Sequence, residues 1–271
     1  MAARAYLAQP TPFAIAHRGG AGELPENTIP AFDRAVALGY RHIETDAHVS
    51  SDGEVFAFHD DVLDHLTDRR GALSDVPAAT IAGADAAFAF NAEHGFPHRS
   101  AGFRVPSMRE ILTRWPEVFV NIDTKSDAVV EPLVRLLTEV GATERVCVGS
   151  FSDARIRRVR ELTRGAVCTS MGPRALATAW LASRTGRMPA LGADCLQVPP
   201  RWGRMALVDQ RLVRAAHAAR LQVHVWTVDA VSEMQRLLDL GVDAVMTDLP
   251  AVLRDVLRGR GQWHGGPGTD A

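Results

Sequence analysis

Eight short runs of β-branched and apolar residues, spaced along the chain and separated by segments of helical periodicity, constrain the fold more than any other feature. They lie at 13–16, 42–46, 118–123, 146–150, 166–169, 195–198, 222–227 and 244–247. Helical patterns fall near 27–38, 127–140, 153–163, 174–184, 208–219 and 231–240, with a last one at 251–257 behind Pro250. Gly39, Gly141 and Gly241 stand where helices should stop. Strict strand–helix alternation means parallel strands and an α/β protein. A count of eight favours a closed (β/α)8 TIM barrel over an open sheet, whose strand order a sequence does not display. One run breaks the rule. Residues 54–59 follow Asp46 too closely for a parallel crossover, and Asp52-Gly53 is a tight-turn pair, so this run should return antiparallel on the second strand. That return places position 59 near position 46. Residues 61–105 then read as a small cap insertion over the barrel mouth. The expected organisation is an N-terminal tail at 1–12, one barrel domain at 13–258 and a disordered tail from 259.

A length of 271 residues suits one such barrel. With a net charge of −2 nothing in the overall balance suggests wrapping of a nucleic-acid backbone, so any anionic ligand must be held locally. Cys147, Cys168 and Cys195 are odd in number and widely spaced, which points to reduced buried thiols without disulfide or zinc motif. The first residues lack the apolar core of a signal peptide, and no apolar run reaches the ~18 residues of a membrane span. A cytoplasmic location without stable membrane insertion is the default expectation. Oligomeric state is not readable.

Barrel enzymes build their sites at the C-terminal ends of the strands. The first run ends in His17-Arg18-Gly19-Gly20 and the hairpin returns His59-Asp60. Glu44 and Asp46, two apart on a strand, face the same side. The third run ends in Asn121-Ile122-Asp123-Thr124-Lys125, the seventh in Trp226-Thr227 and the eighth in Thr247-Asp248. Converging carboxylates are costly unless a positive charge neutralises them, and hard divalent cations prefer oxygen ligands. Each carboxylate taken singly fits an ordinary surface salt bridge as well. Three together beside two histidines fit a metal-assisted acid–base site better. Arg18 offers planar donors for a phosphate. Lys125 is the one lysine among thirty cationic side chains, which marks that position as needing a compact ammonium.

These residues, in this order and spacing, resemble the glycerophosphodiester phosphodiesterase family. The resemblance rests on His17-Arg18-Gly19, Pro25-Glu26-Asn27-Thr28, Glu44-Thr45-Asp46, Asp52-Gly53 with His59-Asp60, Asn121 to Lys125, Val225-Trp226-Thr227-Val228 and Thr247-Asp248-Leu249-Pro250. It covers the chain from Ala14 to Pro250. It implies a metal-dependent barrel hydrolase, using Mg2+ or Ca2+, that cuts a small-molecule glycerophosphodiester to sn-glycerol 3-phosphate and an alcohol. By the same resemblance Glu44, Asp46 and Asp123 bind the metal, and His17 and His59 form the acid–base pair. Arg18 and Lys125 hold phosphoryl oxygens, Trp226 lines the substrate site, and Asn27 supports the geometry. Which histidine is acid and which base stays open, as does attack by water against attack by the glycerol 2-hydroxyl. Three positions depart from the family pattern: Asp123 replaces a usual Glu, Asp229 an Asn, and His65 an Arg. Two competing readings remain: cleavage of intact lipid in the manner of a phospholipase D or C, which calls for an apolar rim or basic surface (the cap segment Ala86 to Phe90 is the candidate), and a non-catalytic barrel that only binds phosphate esters.

Overall fold

The computed structural model describes residues 4–265. Eight parallel strands form the barrel: β1 (Phe13–Ala16), β2 (His42–Val49), β4 (Phe119–Thr124), β5 (Val146–Gly149), β6 (Cys168–Thr169), β7 (Cys195–Val198), β10 (Gln222–Val225) and β11 (Ala244–Thr247). The hydrogen-bonded order is β6-β5-β4-β2-β1-β11-β10-β7, and a parallel bridge between Ser170 and Cys195 brings the two ends together into a nearly closed barrel. β3 (Val55–Ala57) pairs antiparallel with β2, Ala47 opposite Ala57, as the Asp52-Gly53 turn predicts. Position 46 therefore sits beside 58, and Phe58 N–H donates to the Asp46 carbonyl at 3.1 Å. Around the barrel lie α1 (Ile29–Ala37), α2 (Ala78–Ala82), α3 (Met108–Arg114), α4 (Val130–Glu139), α5 (Asp153–Leu162), α6 (Pro173–Ser183), α7 (Gln210–Ala218), α8 (Val231–Leu240) and α9 (Pro250–Gly259). None is long and apolar enough to cross a membrane.

The period of two explains why strands buried on both faces still carry polar residues. Ala14, Ala16, Ile43, Val120, Ile122, Val146 and Val148 point outward into the main core beneath the helices. Their neighbours point inward and stack in layers along the barrel axis. Pairing of β2 with β4 sets Glu44 beside Asn121 and Asp46 beside Asp123. The upper layers are thus polar by register, and the lowest is aromatic. There His42 lies stacked between Phe13 and Phe119, with ring centroids 4.1 and 4.9 Å away. Tyr6, within the expected N-terminal tail, closes the base with its ring edge-on to His42 and no exposed surface. Cys147, Cys168 and Cys195 complete this layer as buried free thiols, as expected.

Burial holds both His42 and His224 neutral, each with its pKa lowered to about 3. An unfolded histidine titrates near 6.5, so the folded state binds fewer protons between these values. Stability is full above about pH 6.5 and is lost as pH falls toward about 3, by up to roughly 1.4 kcal/mol per pH unit for each histidine. His224→Leu should therefore gain on the native chain as urea unfolding is moved from pH 8 to pH 5. A gap that stays constant with pH would mean that His224 is not held neutral.

Two elements escaped the sequence reading. Helix α3 supplies the crossover from β2 to β4 after the long insertion. Its signal was present: Ser107 caps the helix by accepting from Glu110 N–H, a Ser-x-x-Glu start, and Met108, Ile111 and Leu112 are buried. The other is a two-stranded ribbon, β8 (Arg201–Trp202) with β9 (Met205–Ala206), on the mouth side of β7. The 61–105 insertion forms a satellite core of Phe56, Phe58, Leu63, Leu73, Ile81, Ala84 and Val105. It gives no side chain to the cavity at the mouth. At the other end α9 runs to Gly259, and Trp263 packs edge-on against Tyr40 at 5.2 Å. The part of the expected disordered tail beyond 265, like residues 1–3, lies outside the described residues.

Candidate active site

The C-terminal ends of the strands surround a cavity of about 670 Å3. Every residue singled out for chemistry lines it: His17, Arg18, Glu44, Asp46, His59, Asp123, Lys125 and Trp226. The opposite wall is apolar and built by Met171, Leu176, Trp180, Trp202, Met205 and Leu207.

His17 ends β1 and enters a turn in which Arg18, Gly19 and Gly20 all have positive φ, 51, 83 and 110°. A side chain on Gly19 would meet Ala31 at 2.9 Å, so glycine is required both for the turn and for the close approach of α1. The turn aims Arg18 N–H at Glu44 Oε2, 3.1 Å away, and carries the His17 ring to the mouth. His17 Nδ1 donates to Asp248 Oδ1 at 2.6 Å, which leaves Nε2 toward the cavity, 3.8 Å from Glu44 Oε2. Burial alone would lower the basicity of this imidazole. The Glu44 and Asp248 carboxylates outweigh it and hold the pKa above the ordinary value. Asp248 was noted at the end of its strand, but its role came only with the barrel: β1 and β11 are neighbours, Ala16 opposite Thr247.

Asp46 is the hub. Lys125 Nζ lies 2.9 Å from its Oδ1, and Asn27 Nδ2 donates to Oδ2 at 3.0 Å. Arg18 Nε stands 3.3 Å from Oδ2, while the same guanidinium donates twice to Glu26 at 3.0 and 3.1 Å. Burial works against this carboxylate, yet Lys125 and Arg18 prevail and keep its pKa low. Asn27 accepts from Thr45 Oγ1 at 2.7 Å, so both ends of its amide are fixed; the cap of α1 is Thr28. Lys125 Nζ also lies 2.8 Å from Asp123 Oδ2. The chain's one ammonium thus bridges the two carboxylates that register sets side by side. Burial raises the Asp123 pKa even so, with Lys125 offsetting only part of it.

His59 follows β3, half-exposed at the rim, with Nδ1 paired to Asp60 Oδ1 at 2.8 Å. Asp60 also binds His65 Nδ1 at 3.1 Å, so the residue standing where the family has Arg holds the carboxylate that orients His59. Asp229 accepts from Thr247 Oγ1 and Asp248 N–H, both at 2.8 Å. Both bonds need only an acceptor, which explains why Asp serves there in place of Asn.

The donor set fits a hard divalent cation by charge. Glu44, Asp46 and Asp123 face Lys125 and an arginine shared with Glu26. The third negative charge is poorly accommodated: burial first, then Asp46, pushes the Glu44 pKa up to about 7. Protonation of Glu44 or a further positive charge would relieve this. Among the described residues, however, the side chains that gather three donor atoms within 4.8 Å of one another are the three cysteines of the base, not the carboxylates. The Lys125 ammonium stands between Asp46 and Asp123, and Asp123 is one methylene shorter than the usual Glu.

Residues 17–252 match the glycerophosphoryl diester phosphodiesterase family. The chain belongs to that family. A probable glycerophosphodiester phosphodiesterase 2 of Mycobacterium tuberculosis is 37% identical over 259 residues, 93% of each chain. A glycerophosphodiester phosphodiesterase of Caldanaerobacter subterraneus is 30% identical over 251 residues, 90% of this chain and 97% of that one. The fold is shared with an Oleispira antarctica phosphodiesterase whose crystal structure holds the product sn-glycerol-3-phosphate, with TM-score 0.74, 23% identity and coverage of 92% and 97%. The resemblance drawn from sequence is thereby upheld, and with it the barrel. As a member of the family the chain is a glycerophosphodiester phosphodiesterase, a phosphoric diester hydrolase.

Proposed function

We propose that the enzyme hydrolyses small glycerophosphodiesters to sn-glycerol 3-phosphate and an alcohol, with Mg2+ or Ca2+ held by Glu44, Asp46 and Asp123 and with His17 and His59 moving the protons. The observation that carries this reading is the meeting, in one cavity, of an Asp248-oriented His17, a second imidazole, three carboxylates and two cations. A bound divalent cation would polarise the phosphoryl group and relieve the crowding of negative charge. The chain's own groups do the rest. Arg18 and Lys125, already in the cavity wall, neutralise phosphoryl oxygens, and Asn27 holds Asp46 in place. One imidazole takes the proton of the attacking hydroxyl as its oxygen bonds to phosphorus. The other gives a proton to the departing alkoxide as the phosphorus–oxygen bond to the alcohol breaks. Trp226, edge-on to Phe151 at 5.6 Å, lines the cavity and would pack against the bound diester. The full histidine and carboxylate set argues against a barrel that only binds. A cytoplasmic location belongs to the same reading and accords with three unpaired thiols.

Incubation with glycerophosphocholine, followed by 31P NMR, tests which bond is cut. The expected phosphorus product is sn-glycerol 3-phosphate, with free choline. Phosphocholine and glycerol would place the cleavage on the other side of phosphorus and overturn the reading.

A further inference from the structure

The apolar wall of the cavity runs out into solvent. Phe151 is 65% exposed, Leu181 63%, Trp202 76% and Met205 48%, and all four line the same cavity as His17 and Lys125. Large apolar side chains left open in one place mark a binding surface. Trp202 and Met205 are directly paired across the β8–β9 ribbon, so both project from one face of it. Every residue from 201 to 206 is exposed. Arg201 pairs with Ala206 at the open end of the ribbon and Arg204 lies in the turn between its strands, and among the described residues neither forms an ion pair. Arg158, Arg160, Arg184 and Arg236, in the neighbouring helices, are matched to carboxylates. Arg201 also acts on the Glu233 carboxylate, but Arg236 holds that group at 2.7 Å and dominates it. An indole and a thioether on a ribbon that also carries two arginines outside any ion pair suit the headgroup zone of a bilayer, where tryptophan anchors and arginine meets phosphate. The cap segment Ala86 to Phe90 does not offer this, because Phe88 stacks beneath the Arg99 guanidinium and lies away from the cavity.

We propose that the β8–β9 ribbon, with Leu181 and Phe151 beside it, docks the barrel mouth on an anionic lipid surface. Trp202 and Met205 enter the headgroup region, and Arg201 and Arg204 meet lipid phosphates. With a net charge of −2 the chain as a whole is not drawn to such a surface, so the attraction is local to this rim. The apolar wall continues from the ribbon past Leu207 and Trp180 toward the carboxylate end of the cavity. A phosphodiester borne by the surface would keep its apolar part on this wall as it reached the histidines. That last consequence rests on the proposed function; the docking does not.

Co-sedimentation of the full chain with vesicles tests the docking. Binding is expected to phosphatidylcholine vesicles containing phosphatidylglycerol, weakening as salt is raised, and not to phosphatidylcholine alone. Arg201→Glu with Arg204→Glu should weaken binding about ten-fold or more, and Trp202→Ala by a similar factor. The double arginine variant should keep the native circular dichroism and the native rate on soluble glycerophosphocholine. No binding to the anionic vesicles at low salt, or binding that these variants leave unchanged, would overturn the proposal. So would dimerisation of the native chain that Trp202→Ala abolishes, since the ribbon would then serve a second copy. Vesicle binding without any hydrolysis of glycerophosphocholine would leave the docking in place and remove the functional reading instead.

Discussion

His17→Ala is expected to lower kcat on glycerophosphocholine by about a thousand-fold, the ordinary contribution of a positioned acid or base. The loss comes from the imidazole itself, because the fold asks little of it. Its ring bonds to Asp248, a residue open enough at the mouth to be hydrated when the partner is gone. Helix and strand contents by circular dichroism should be unchanged. Asp248→Asn supplies the graded companion. It keeps the ring and a hydrogen-bond acceptor but removes the negative charge that favours the imidazolium, so its rate should fall between native and His17→Ala. A His17→Ala enzyme within a few-fold of native would sink the assignment, and an Asp248→Asn enzyme as slow as His17→Ala would show that the pair acts only as a unit.

Asp46→Ala should cost as much, about a thousand-fold or more, and by another route. Lys125 and Asn27 bond this carboxylate and Arg18 lies in ion-pair range of it, and its loss leaves Lys125 with Asp123, Arg18 with Glu26 and Asn27 with Thr45 alone. The proposed metal loses its central ligand, so the residual rate should need far more Mg2+ or Ca2+ for saturation. Breaking a buried, charge-assisted network should also lower stability, by about 1–3 kcal/mol. Asp46→Asn separates these effects. It preserves a hydrogen-bonding amide for packing, and should recover most of the stability but little of the rate. Full recovery of rate by Asn would mean that the negative charge at position 46 is not needed.

The barrel was readable because its strands are short apolar runs with clear punctuation, and because a parallel crossover is too long to be mistaken for a hairpin. Period-two spacing put Glu44 and Asp46 on one face, and the Asp52-Gly53 turn brought His59 back toward them. What depended on closure was hidden. Asp248 lies 231 residues from His17 and meets it only because the last strand lies beside the first. Asp46 and Asp123 became neighbours through a strand register that no local pattern encodes. His42, His224 and Tyr6 offered no cue to an aromatic base, since a polar residue inside a strand and a tyrosine near the N-terminus look like surface until the layers are stacked. Helix α3 was different: its capping sequence was there to be read. The rim at Trp202 and Met205 was not, because one tryptophan and one methionine three residues apart carry no periodicity.

The most direct test of the account is the rate of sn-glycerol 3-phosphate release from glycerophosphocholine by the native chain, stripped with EDTA and then titrated with Mg2+ or Ca2+. The account predicts no measurable turnover in chelator and saturable recovery with at least one of the two cations, since the carboxylates at 44, 46 and 123 are crowded without one. Turnover that is equally fast in EDTA would contradict it, and would leave Lys125 and Arg18 as the only cations the reaction uses.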